Sequence, residues 1–127
     1  MIALPTMKPA AFIAASLAEI SAMPDEVKRV FGFAIRLAQR GEKHPDAKPL
    51  KGFGGASVLE VVEDYDGNTY RAIYTVKFAG MVYVLDVFQK KSKQGNKTAK
   101  HDIDRIKARL KLAQADYARR RPRPKTA

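Results

Sequence analysis

The sequence predicts an α+β domain in which N-terminal helices and a C-terminal helix flank a small, mainly antiparallel sheet of three to four strands. Three observations predict it. Apolar residues recur at helical spacing near both ends, at Val27, Val30, Phe31, Ala34, Ile35 and Ala38, and again at Ile103, Ile106, Leu110, Ala113 and Tyr117. Between these stripes lie runs rich in β-branched and aromatic residues, one from Val58 to Glu63 and two more from Tyr70 onward. Asp66-Gly67-Asn68 and Ala79-Gly80 separate the runs so closely that only hairpins can join them.

Taken in order, Met1 to Lys8 reads as a frayed start, with Pro5 and Pro9 opposing regular structure. Phe12-Ile13-Ala14 fits a short edge strand or a helix start equally well. Ser16-Leu17-Ala18-Glu19 has the spacing of a capping box and opens a short helix to about Ala22. Pro24, Asp25 and Glu26 suit the first turn of a second helix, which Gly41 closes in a left-handed conformation. A loop punctuated by Gly and Pro follows from Glu42 to Ala56; its Gly52-Phe53-Gly54-Gly55 is not a nucleotide fingerprint, because no strand precedes it. His44, next to Pro45, is expected to pack or cap at the helix end.

If Ala79-Gly80 is a two-residue turn, Phe78 faces Met81, Thr75 faces Val84 and Arg71 faces Phe88. Tyr70, Ala72, Tyr74, Val76 and Phe78 then share an apolar face with Tyr83, Leu85 and Val87. The other face carries Arg71, Thr75, Lys77 and Asp86, with Arg71 diagonal to Asp86. Lys90 to Lys97 is a polar loop, and Thr98 is placed to cap the last helix, with Lys100, Arg105, Lys107, Arg109 and Lys111 away from its apolar stripe. Residues 1–118 form one domain on this reading, and 119–127 a basic tail without means of packing.

The 127 residues carry a net charge of +11, and its distribution is uneven. Residues 1–89 hold ten basic and ten acidic side chains, while 90–127 hold fourteen basic and three acidic ones. A basic third joined to a neutral body points to a polyanion, nucleic acid first among them. An anionic membrane fits less well, because the basic segment has no aromatic-rich apolar face. With no cysteine and only His44 and His101 as imidazoles, thiolate and zinc sites are ruled out. Neither a signal pattern nor a membrane-length apolar run occurs, so a soluble cytoplasmic protein is expected.

What remains for chemistry is a set of cations: Arg71 on the sheet, Lys90, Lys91 and Lys93 at the strand exit, Lys97 further along that loop, and Lys48 and Lys51 on the loop before the sheet. Cations fixed around a phosphodiester stabilise the added charge of its pentacoordinate transition state. If the polymer is RNA, the 2′-hydroxyl is the nucleophile and neither metal nor cofactor is required. Crowded lysines depress one another's pKa, which suits one of them to proton transfer.

Three stretches together resemble the RelE/HigB branch of bacterial toxins, and within it the phage-derived group. They are Leu37 to Gly52 (LAQRGEKHPDAKPLKG), Tyr70 to Val76 (YRAIYTV) and Val84 to Ser92 (VLDVFQKKS). The resemblance spans roughly residues 10 to 115. It implies a compact α+β toxin that cleaves messenger RNA, commonly on the ribosome, and that a cognate antitoxin, of helix-turn-helix type, neutralises. Carried over by position, Arg71 contacts the scissile phosphate, and Lys90 and Lys91 serve its charge and proton transfer. Lys51 sits on the loop side of the same groove, and Lys48, Lys93 and Lys97, from the basic loops around it, are expected to bind RNA with it. Where relatives end in a tyrosine or histidine for the acid–base step, His101 is the nearest candidate here, with Tyr117 beyond it. Ala99 stands where the group often has proline. The alternatives are a toxin of the same fold that does not cleave and blocks a protein such as DNA gyrase, or a basic RNA-binding module.

Overall fold

The computed structural model describes residues 7–90 and 98–120. Its elements are β1 (Ala10–Phe12), α1 (Ser16–Ser21), α2 (Asp25–Gln39), β2 (Lys48–Pro49), β3 (Val58–Tyr65), β4 (Asn68–Thr75), β5 (Val82–Lys90) and α3 (Lys100–Arg120). All five strands belong to one sheet in the order β1-β5-β4-β3-β2. The α+β class is the predicted one. The sheet exceeds three or four strands because it gains a short piece at each edge. Around Phe12 the chain is an edge strand, parallel to β5, with Ala10 opposite Val82. On the far edge, Lys48 and Pro49 pair with Glu60 and Leu59 inside the stretch expected to be loop.

Helix α2 forms as its pattern dictates. Val27, Phe31, Ala34, Ile35 and Ala38 are buried along one stripe, and Asp25 and Glu26 occupy the first turn. Its end is a Schellman motif: Gly41, at φ 79°, donates to Ala38 O at 3.0 Å, and Glu42 donates to Leu37 O at 2.8 Å. Helix α1 departs from the expected capping box. Ser16 lies inside the helix, and its hydroxyl donates to Val84 O on β5 at 3.0 Å, while Glu19 turns toward α3. A buried hydroxyl within reach of a strand carbonyl gains more there than at a solvated helix end.

Strands β3 and β4 meet at a two-residue turn, Asp66-Gly67, both at positive φ, with Tyr65 opposite Asn68. The β4–β5 hairpin has the predicted register only in its lower half, where Arg71 faces Phe88. A bulge after Ile73 shifts the rest, so Thr75 faces Tyr83 rather than Val84. Its loop spans residues 76–81, and Met81 N donates to Phe78 O at 3.1 Å across the expected Ala79-Gly80 turn. The bulge also exchanges faces. Tyr70, Ala72 and Tyr74 share their side with Val82, Val84 and Val87, whereas Tyr83 and Leu85 lie with Ile73 on the other.

Both faces of the sheet are therefore covered. One packs under α1 and α2 through Ile20, Val27, Phe31 and Ile35. The other packs under α3 through Ile106 and Ala113, with Ile103, Leu110 and Tyr117 at the margin. Helix α3 runs on to Arg120, so Arg119 and Arg120 are helical and pair with Asp116 rather than belonging to a tail. No helix among the described residues is long and apolar enough to cross a membrane.

Candidate nucleic-acid interface

Three polar residues of the α3-facing side, Glu60, Arg71 and Asp86, are buried charges, and each has a charged partner. Asp86, on β5, is fully buried and lies between two arginines of α3. Arg105 Nε donates to Asp86 Oδ2 at 2.8 Å, and Arg109 Nη1 donates to Asp86 Oδ1 at 3.1 Å. Arg109 also forks onto both carboxylate oxygens of Glu19, at 2.7 and 3.1 Å, and donates to Leu85 O at 2.9 Å. Burial, with Glu19 adding to it, pushes Asp86 up to about 6 against the pull of both arginines. For Glu19, burial is outweighed by the Arg109 hydrogen bonds and the Val87 amide, which hold it below the usual carboxylate range. Arg109, expected away from the stripe, thus sits on its buried side.

Arg71 is 2% exposed, and its partner is Glu60 on β3, 3% exposed, rather than Asp86. Thr98 completes the group. Its hydroxyl donates to Glu60 Oε2 at 3.0 Å and accepts from Arg71 Nη1 at 3.2 Å. The hydroxyl expected to cap α3 is thereby committed to the sheet, and Ala99 O takes the first helical hydrogen bond, from Ile103 N at 3.0 Å.

Two clefts open on either side of this group and share Thr98 as a wall. A cleft of about 380 Å³ is lined by Arg71, Phe88, Lys90, His101, Asp102 and Arg105, among others. The second, about 430 Å³, is lined by Lys48, Lys51, Leu50, Glu60 and Ile103. Arg71, Lys90 and His101, predicted from separate stretches, therefore line one cavity. Lys48 and Lys51 line its neighbour, both exposed. Partial burial, then the Arg71 guanidinium, hold the Lys90 ammonium below the ordinary lysine range, with Glu60 opposing. His101 is exposed at the rim, with Nε2 3.3 Å from Asp102 Oδ1. Tyr117 is drawn elsewhere: its hydroxyl donates to Ala79 O at 2.8 Å, at the far end of β5. Lys91, Lys93 and Lys97 lie outside the described residues. His44 is buried against Phe33, and its Nδ1 accepts from Asp46 N at 3.0 Å, a packing and turn residue as expected.

Sequence reading missed Glu60, Thr98, Phe88 and Arg105. Glu60 had a usable signal, since a lone carboxylate among Val58, Leu59, Val61 and Val62 demands a buried cation. Arg109 had one too, because it falls at helical spacing between Ile106 and Ala113. For Arg105 the signal is absent, because its role depends on how α3 crosses β5.

Residues 18–111 match the family described as phage derived protein Gp49-like (DUF891). No curated protein matches the chain.

Proposed function

Because the chain belongs to the phage-derived Gp49-like family, we propose that it is the toxin of a toxin–antitoxin pair and cleaves messenger RNA on the ribosome in the cytoplasm, without a metal. One observation carries the reading: a strand arginine, a strand-end lysine held below its ordinary range, and an imidazole line one cleft. In the reaction the ribose 2′-oxygen attacks the adjacent phosphorus and its proton passes to the protein. The 5′-oxygen leaves with a proton in return, giving a 2′,3′-cyclic phosphate. Arg71, Lys90 and Lys91 hold the charge gathered on the phosphate. Lys90 and His101 are the groups in the cleft that exchange protons. Lys48, Lys51, Lys93 and Lys97 carry the neighbouring phosphates. Glu60 offsets the charge of Arg71 in the absence of RNA and fixes its position, so the incoming phosphate meets a preset guanidinium. A cognate antitoxin of helix-turn-helix type holds the activity in check.

The test is brief induction in cells followed by mapping of transcript ends. Wild type is expected to create new ends, and Lys90→Ala and Lys91→Ala to reduce them about 100-fold. Arg71→Ala is made together with Glu60→Gln, since the single change strands a buried carboxylate. An absence of new ends with wild type overturns the nuclease reading, and a change in DNA supercoiling instead favours a gyrase-blocking toxin.

A further inference from the structure

Arg105 belongs to the cleft but is poorly placed to be one more phosphate-binding cation. Its Nε and Nη2 both lie 2.8 Å from Asp86 Oδ2, and Nη2 also lies 2.8 Å from Asp102 Oδ1. These bonds run in the guanidinium plane and offset its charge with two carboxylates. Asp86 is fully buried between β5 and α3, so the plane is anchored to the core rather than to solvent. The guanidinium carbon lies over the Phe88 ring, 5.3 Å from its centroid. The side chain is still 34% exposed and lines the cleft that holds Arg71 and Lys90. With Nε and Nη2 committed to carboxylates and the Phe88 ring beside it, Arg105 offers the cleft an immobilised guanidinium plane. Guanidinium planes and aromatic rings are the surfaces on which unpaired nucleobases stack.

We infer that Arg105, backed by Phe88, is the stacking platform for the unpaired RNA base next to the phosphate held at Arg71 and Lys90. The inference rests on the RNA-directed reading above and narrows it: the substrate is single-stranded at the cut. Because every base has a π face, the platform tolerates any of the four there, while a paired base cannot reach it.

The experiment measures binding by fluorescence anisotropy with a short, fully 2′-O-methylated RNA, which keeps phosphates and bases but has no nucleophile. A series carries one abasic residue at each position in turn. With wild type, one abasic position is expected to weaken binding about ten-fold. Arg105→Lys, which keeps the charge and loses the plane, is expected to weaken the intact RNA about ten-fold and to leave that abasic RNA unchanged. Phe88→Leu, which leaves both carboxylate contacts in place, is expected to give a smaller loss at the same position. Uniform binding across the abasic series overturns the platform, and so does an abasic loss that persists undiminished in Arg105→Lys. The series on wild type needs no variant, so a folding defect in either substitution does not blur the result. Cleavage of the unblocked RNA is scored separately. Wild type that cleaves but ignores the abasic residue sinks the platform and leaves the nuclease. Base-dependent binding without cleavage does the reverse, and failure of wild type to bind any RNA overturns the platform.

Discussion

Asp86 shows how far a single burial alters a residue. In the sequence it reads as half of a diagonal pair with Arg71. In the fold, Glu60 takes Arg71, and α3 supplies two other arginines to Asp86. The alternation of β4 and β5 put both charges on the correct side of the sheet, which is why the place of Arg71 beside the cleft was legible. Partner choice was not legible, because it depends on β3 and α3 lying against the same face. The pH dependence follows from burial. Asp86 rises from an ordinary value of 3.8 to about 6, so the folded chain keeps a proton that the unfolded chain has released between those values. The stabilisation from that proton is complete below about pH 4 and lost as the pH rises through 6. Glu19 acts with the opposite sign: held low, it stabilises above its ordinary 4.5 and loses that contribution on acidification. Asp86→Asn removes the first component and keeps the second. Between pH 4 and 6 its stability is expected to climb relative to wild type by on the order of 3 kcal/mol, read by urea unfolding. Parallel profiles for the two proteins would rule out the raised Asp86.

At the scale of elements, α2, β3 and β4 were legible nearly to their ends, because each states its period, its cap or its turn locally. Less legible were β1 and β2, which hold only three and two residues and exist through the strands beside them. The bulge in β5 was likewise hidden: Leu85 and Asp86 read as ordinary alternation, and only packing under α3 shows which side each takes. Helix α3 carries a consequence for stability. Its stripe has only Ile106 and Ala113 fully covered by the sheet, and Arg109 lies between them as an ion-paired anchor. Arg109→Met keeps the length of the side chain but leaves half-buried Glu19 without its arginine and buried Asp86 with Arg105 alone. The expected loss is about 3–5 kcal/mol, against less than about 0.5 kcal/mol for exposed Lys111→Ala. A double replacement of Arg109 and Glu19 by apolar residues should recover part of the loss, and equal costs for Arg109→Met and Lys111→Ala would contradict the anchor.

Over the whole molecule, the charge asymmetry acquires a direction. Lys48 and Lys51 enter from the neutral body, Lys90 from the end of β5, and His101 and Arg105 from α3, so the two clefts lie where the neutral and basic parts of the sequence meet. Residues 121–127 add Arg121, Arg123 and Lys125. If these reach RNA phosphates, removing them should lower the slope of log binding constant against log salt by about 2, with the cleavage rate of bound RNA unchanged. An unaltered slope would make the tail a bystander. The same arrangement also sets an order of events in time. Ser16 is fastened to Val84, 68 positions on, and Glu19 to Arg109, 90 positions on. Non-local closures of this kind slow folding, and a chain emerging from its N-terminus cannot make them early. While β3 and β4 can pair as soon as they emerge, α1 finds its final partner only after the first half of α3 has been synthesised. The nascent chain is therefore without its completed cleft throughout most of its own translation.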